Sequence, residues 1–122
     1  MSKTILVVDD SSSLRTAVRI ALTGAGFEVV EAEDGKQALT KLDGRKYHLV
    51  ISDVNMPNLD GFGFVTAMKQ MAAYKYTPVV MLTTETGDDK KEKGKAAGAK
   101  AWIVKPFMPP QLLSVVSKLV MP

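Results

Sequence analysis

Short apolar runs alternate along this chain with longer stretches in which apolar residues return every three or four positions. The runs Ile5-Leu6-Val7-Val8, Val79-Val80-Met81-Leu82 and Ala101-Trp102-Ile103-Val104 have strand length, and Leu49-Val50-Ile51 begins another that runs on to Asp53. Phe27-Glu28-Val29-Val30-Glu31 mixes polar with apolar residues, as an edge strand with one wet side does.

Helical spacing fills the intervals. After Ser11 to Ser13, which offer N-caps, Leu14, Ala17, Val18, Ala21 and Leu22 mark the buried stripe of a first helix stopped by Gly24 and Gly26. Asp34 with Gln37 resembles a capping box ahead of Ala38 and Leu42, and Asp43-Gly44 ends that helix. Asp60 caps a third, with Phe64, Val65, Met68 and Met71 spaced for burial. A fourth is expected over residues 88–98, but Ala96 and Ala97 are its only apolar side chains. Gly94 in its interior costs about 1 kcal/mol relative to Ala, so it is expected to be weakly held and mobile. Pro109-Pro110 suit the first turn of a last helix, whose Leu112, Leu113, Val115, Val116, Leu119 and Val120 share one arc.

Five strands alternating with five helices imply right-handed crossovers and a parallel sheet covered on both faces, a doubly wound α/β fold. Spacing does not write the strand order. The order 2-1-3-4-5 places the wettest strand at an edge and brings Asp9, Asp10 and Asp53 to the switch point between the first and third strands.

A length of 122 residues, 46% of them hydrophobic, allows one compact domain over 1–122 and leaves no room for a second module. The chain has no cysteine, which excludes disulfides and thiolate metal sites and suits a reducing cytosol. Neither a leader peptide nor a membrane span is visible, so a cytoplasmic protein without membrane insertion is expected. The net charge of +3 does not indicate nucleic acid, because six lysines fall between Lys90 and Lys100 and at the start of the chain, and no basic recognition helix exists. That charge is better suited to a protein-binding face.

The chemistry gathers at strand ends. Asp53 closes the third strand and Asp9-Asp10 follow the first, where ligands of open parallel sheets collect. Three carboxylates in one place repel each other, and magnesium, a hard cation bound through oxygen, is the natural partner. Thr83 at the end of strand four and Lys105 at the end of strand five add a hydroxyl and a cation, the groups a phosphoryl oxygen requires.

Val8-Asp9-Asp10, Asp53-Val54-Asn55-Met56-Pro57 with Asp60-Gly61, Leu82-Thr83, Ala97-Gly98-Ala99 and Lys105-Pro106-Phe107 make the chain resemble the receiver domain of two-component response regulators, most closely the single-domain chemotaxis type. The resemblance spans essentially the whole chain, which would then be a receiver without an output domain. It implies a flavodoxin-like (βα)5 fold, and the 2-1-3-4-5 order is partly borrowed from it, since flavodoxin and the chemotaxis regulators are its known examples. It also implies roles. Asp53 is the phosphoacceptor, Asp10 a direct magnesium ligand with Asp9 acting through water, and Asn55 a ligand through its backbone carbonyl. Lys105 pairs with phosphoryl oxygens, Thr83 swings toward them, and the Lys105-Pro106 bond is cis. Asn55 and Glu85 tune dephosphorylation, and both being polar suggests a short-lived signal. Trp102 stands at the switch aromatic, usually Tyr or Phe. The implied partners are a sensor histidine kinase as phosphodonor and a downstream protein bound by the face of the fourth helix, fifth strand and fifth helix. The unphosphorylated chain is expected to be a monomer.

Other readings are available for the same residues. Asp9 and Asp10 could cap the first helix, Thr83 and Thr84 could be ordinary strand-end residues, and the helix-four lysines a solvated face. The seven methionines read as packing, and His48 as a residue at the surface or the start of a strand. A haloacid-dehalogenase phosphatase also uses a strand-end Asp, but needs an acid where this chain has Asn55, and more chain for a cap. A flavodoxin would use Ser11 to Ser13 as a phosphate loop, against the repulsion of Asp9 and Asp10. A receiver acting as a phosphate sink shares every site residue.

Overall fold

The computed structural model describes residues 3–83, 95 and 97–120. Thr84, Glu85 and the expected fourth helix, apart from Lys95 and residues 97–98, lie outside the described residues. Five parallel strands, β1 (Thr4–Val8), β2 (Glu28–Ala32), β3 (Leu49–Asp53), β4 (Val79–Thr83) and β5 (Ala101–Val104), form one sheet in the order β2-β1-β3-β4-β5. Helices α1 (Ser12–Gly24), α2 (Gly35–Lys41), α3 (Gly61–Lys69) and a C-terminal helix (Pro109–Leu119) complete the described elements.

The strands are continuous apolar runs because both faces of the sheet are covered. Ile5, Val7, Leu49, Ile51 and Leu82 pack with Val18 and Leu22 of α1 and with Leu112 and Val116 of the C-terminal helix. Leu6, Val8, Val50 and Met81 point the other way, against Ala38 of α2 and Phe64, Val65 and Met68 of α3. Each such side chain contributes about 1.5–3 kcal/mol on burial. At the edge, β2 keeps Glu28 in water.

Local chemistry sets the helix starts. The Ser11 hydroxyl accepts from Leu14 N–H at 3.3 Å, the Asp34 carboxylate from Gln37 N–H at 2.7 Å, and the Asp60 carboxylate from Gly63 N–H at 2.8 Å. Gln37 Oε1 reaches back to Glu33 N–H at 2.7 Å, one residue before the cap, so the reciprocal half of a capping box is displaced. Met108 caps the last helix with no side-chain bond, and Pro109 and Pro110 present no N–H that would need one. Two details depart from the helical spacing. Ala17 is exposed on α1, and α3 ends before Met71, which packs partly buried beyond it. His48 joins β1 to β3, its N–H donating to Thr4 O at 2.8 Å and its Nδ1 accepting from Thr4 N–H at 3.1 Å. Among the described residues no helix is long and apolar enough to cross a membrane.

Candidate functional site

The site lies beyond the carboxyl ends of β1, β3, β4 and β5. Parallel register aligns those ends: Val8 pairs with Ser52, Asp53 with Leu82, and Thr83 with Val104. Asp9 and Asp10 leave β1, Asp53 and Thr83 are the last residues of β3 and β4, and Lys105 follows β5. The crevice between β1 and β3 is where the strand order reverses, and there Asp9, Asp10 and Asp53 present carboxylate oxygens within 4.8 Å of one another. Asp9 and Asp53 are buried and Asp10 is exposed.

One cation bridges the buried pair. Lys105 Nζ donates to Asp9 Oδ2 at 2.9 Å and sits 3.2 Å from Asp53 Oδ1. Its backbone is fixed by Lys105 N–H to Thr83 O at 2.7 Å, and the Lys105-Pro106 bond is cis. Asp9 Oδ1 accepts from Ser11 N–H at 2.8 Å, tying the acid to the start of α1. Val54 N–H donates to Asp53 Oδ1 at 2.9 Å, so among the described residues both contacts to this carboxylate fall on Oδ1.

Burial pushes the Asp53 carboxyl above the ordinary carboxylate value, and the charge of Asp9 adds to this against the opposing pull of Lys105. Burial alone would lower Lys105, but the hydrogen bond and charge of Asp9, then Asp53, outweigh it and hold the ammonium protonated. Among the described residues, three carboxylates against one ammonium leave the pocket negative, with a donor set of hard oxygens. The residues therefore fit magnesium.

The turn after Asp53 is closed by Gly61 N–H to Val54 O at 2.8 Å. A Cβ on Gly61 would stand 2.2 Å from Asp53 O, so this position must remain glycine for the turn to close. Asn55 is exposed in that loop, and Thr83 is fully buried. Trp102 stacks on Phe62 with ring centroids 6.4 Å apart, and its buried Nε1 has no hydrogen-bond partner among the described residues. Glu85 lies outside the described residues.

Two features escape sequence reasoning. Arg15 Nη1 donates to Asp9 O at 2.6 Å while its Nε pairs with Glu31 at 3.3 Å, holding the β1 end to the edge strand. Nothing in the helical pattern of α1 marks that arginine. Asn58, with a left-handed φ of 69°, donates to Asp34, which the sequence shows only as a helix cap. An Asn within a Pro-Asn-Leu-Asp-Gly turn is the available signal, since Asn tolerates that conformation.

Comparison with known proteins gives the same family over most of the chain. The family described as response regulator receiver domain matches residues 5–117. Protein PilG of Pseudomonas aeruginosa is 34% identical over 112 residues, covering 92% of this chain and 83% of that protein. Chemotaxis protein CheY1 of Helicobacter pylori is 39% identical over 107 residues, 86% of each. The solved structure of chemotaxis protein CheY4 of Vibrio cholerae superposes with a TM-score of 0.94 at 47% identity, covering 98% of this chain and 99% of that one.

Proposed function

Because the chain belongs to the response regulator receiver domain family, we propose that it is a switch in which Asp53 takes a phosphoryl group from a phosphohistidine on a sensor histidine kinase. The observation that carries this reading is the buried Asp53 carboxylate at the β3 end, beside Asp9 and bridged by Lys105, with Oδ1 held by Val54 N–H and Lys105 Nζ. Receiver domains are signalling modules rather than enzymes acting on a separate substrate, and the family binds Mg2+ at an acidic pocket.

In the proposed transfer, Asp53 Oδ2 forms a bond to phosphorus as the nitrogen–phosphorus bond of the donor breaks in line with it. The electron pair leaves with the imidazole, which takes up a proton. Lys105 stabilises charge on the equatorial oxygens, and the Thr83 hydroxyl donates to one of them. Asp10, Asp53, the Asn55 carbonyl and, through water, Asp9 would hold Mg2+, which would supply charge neutralisation beyond that of the Lys105 ammonium. Water later attacks phosphorus and releases inorganic phosphate, with Asn55 and Glu85 setting the rate.

The acyl phosphate carries about −1.5 to −2 charges where the Asp53 carboxylate carried one, drawing Thr83 inward and altering the face made by β5 and the C-terminal helix. Trp102 reports that change, and the altered face engages a downstream protein of chemotaxis or motility signalling. The protein acts in the cytoplasm, as a monomer before phosphorylation and without nucleic acid.

Incubation with acetyl phosphate and Mg2+ followed by peptide mapping tests the reading. Label is expected on Asp53, absent from Asp53→Asn and dependent on Mg2+; equal labelling of the variant, or indifference to the metal, overturns it. Asn55→Ala and Glu85→Ala should change the rate of label loss, and unchanged rates in both discard their tuning role.

A further inference from the structure

The loop between β3 and α3 is anchored at two points with Asn55 between them. Its base is closed by the Gly61–Val54 bond, and its tip is held by α2. Asn58 Nδ2 donates to Asp34 Oδ2 at 2.8 Å, and Gly35 N–H donates to Leu59 O at 3.2 Å. Asp34 is 8% exposed, and its other oxygen accepts the Gln37 N–H at 2.7 Å, so one carboxylate caps α2 and grips the loop. The fit is close, since a Cβ on Gly35 would lie 2.5 Å from Leu59 O. Asn58 itself is exposed and sits at φ 69°, so neither core burial nor a relaxed backbone accounts for its place.

We propose that Asp34 and Asn58 form a latch that holds the β3–α3 loop so that the Asn55 carbonyl stands level with the carboxylates of Asp9, Asp10 and Asp53 for a divalent cation. Both are positioning residues: neither touches the cation, and each acts through the loop. Outer partners that orient a metal ligand typically change affinity by about 10–100-fold when removed. The inference rests on the Mg2+-dependent phosphoacceptor reading given above.

The test is Mg2+ titration by calorimetry with a thermal melt on the same samples. Asn58→Gly keeps the left-handed backbone and removes the amide. Asp34→Ser keeps a helix cap but is too short to reach the loop. Each is expected to weaken Mg2+ binding by about 10-fold. The double variant should be no weaker than about threefold below either single, because both cut one link. Asp34→Asn, which can cap α2 and pair with an overturned Asn58 amide, should stay within about threefold of the parent. A lowered melting temperature with unchanged Mg2+ affinity in Asn58→Gly and Asp34→Ser overturns the latch and leaves the phosphoacceptor reading standing. A parent chain that neither binds Mg2+ nor labels on Asp53 overturns both.

Discussion

Replacing Asp53 by Asn should make the metal-free protein more stable while abolishing its labelling. Asp9 and Asp53 are both buried and share the ammonium of Lys105, at 2.9 and 3.2 Å. Their carboxylate oxygens lie within 4.8 Å, and two unit charges at that distance repel by about 3.5 kcal/mol at an effective dielectric of about 20. Lys105 and the Val54 N–H return part of this, but burial and Asp9 still leave the Asp53 carboxyl above its ordinary value of 3.8. An amide of the same shape retains an oxygen for Lys105 and Val54 and offers Asp9 a donor. Removing a poorly compensated buried charge in this way is expected to stabilise the fold by about 1–2 kcal/mol. For a domain of this size that corresponds to a rise of about 4–8 °C in melting temperature. The pH dependence has a definite sign. A carboxyl whose folded-state pKa is raised contributes stability that is complete below 3.8 and is lost as pH rises through the folded value. The parent's deficit against Asp53→Asn is therefore largest at neutral pH and closes on acidification. Calorimetric melts in EDTA between pH 7 and pH 4 measure it. An equal or lower melting temperature for the variant at pH 7, or a gap that widens with acid, refutes the reasoning.

Lys105→Met should act oppositely: with the bridging ammonium gone, two buried carboxylates face each other, and urea denaturation should register a loss of about 3–5 kcal/mol, with no loss counting against the bridge. Gly61→Ala places a methyl 2.2 Å from Asp53 O, so it should cost about 1–3 kcal/mol and reduce acetyl phosphate labelling; parent-like labelling would mean the turn does not set Asp53. Trp102→Phe removes a buried N–H that has no partner among the described residues while keeping a ring against Phe62, so the unfolding free energy from denaturant melts should stay level or rise by about 1 kcal/mol, and a clear fall would show that the indole nitrogen is paired.

Much of this protein is determined by local pattern. Leu49–Asp53 and Val79–Thr83 are buried along their whole length, and an unbroken apolar run in a chain this short has few destinations besides the middle of a two-sided sheet. Ser11, Asp34 and Asp60 mark helix starts because a short oxygen-bearing side chain satisfies N–H groups two or three residues ahead, within reach of sequence reading. That acids and a lysine stand at strand ends is likewise readable, because strand ends are marked where the apolar runs stop.

The meeting of those residues is decided elsewhere. Strand spacing permits several orders, and only the packed sheet, with β1 between β2 and β3, brings Asp9 beside Asp53 and puts Lys105 between them. Arg15 under Asp9, Asn58 on Asp34 and the Trp102 nitrogen, buried without a partner among the described residues, join or strand groups in different elements, and no periodicity encodes such distances. Hydrophobic period and helix capping act over a few residues, so the sequence alone determines the described elements and their starts, though not the end of α3. The charge balance at Asp53 depends on groups up to 96 positions apart, and only the tertiary structure brings these within the few ångströms over which a buried charge is compensated.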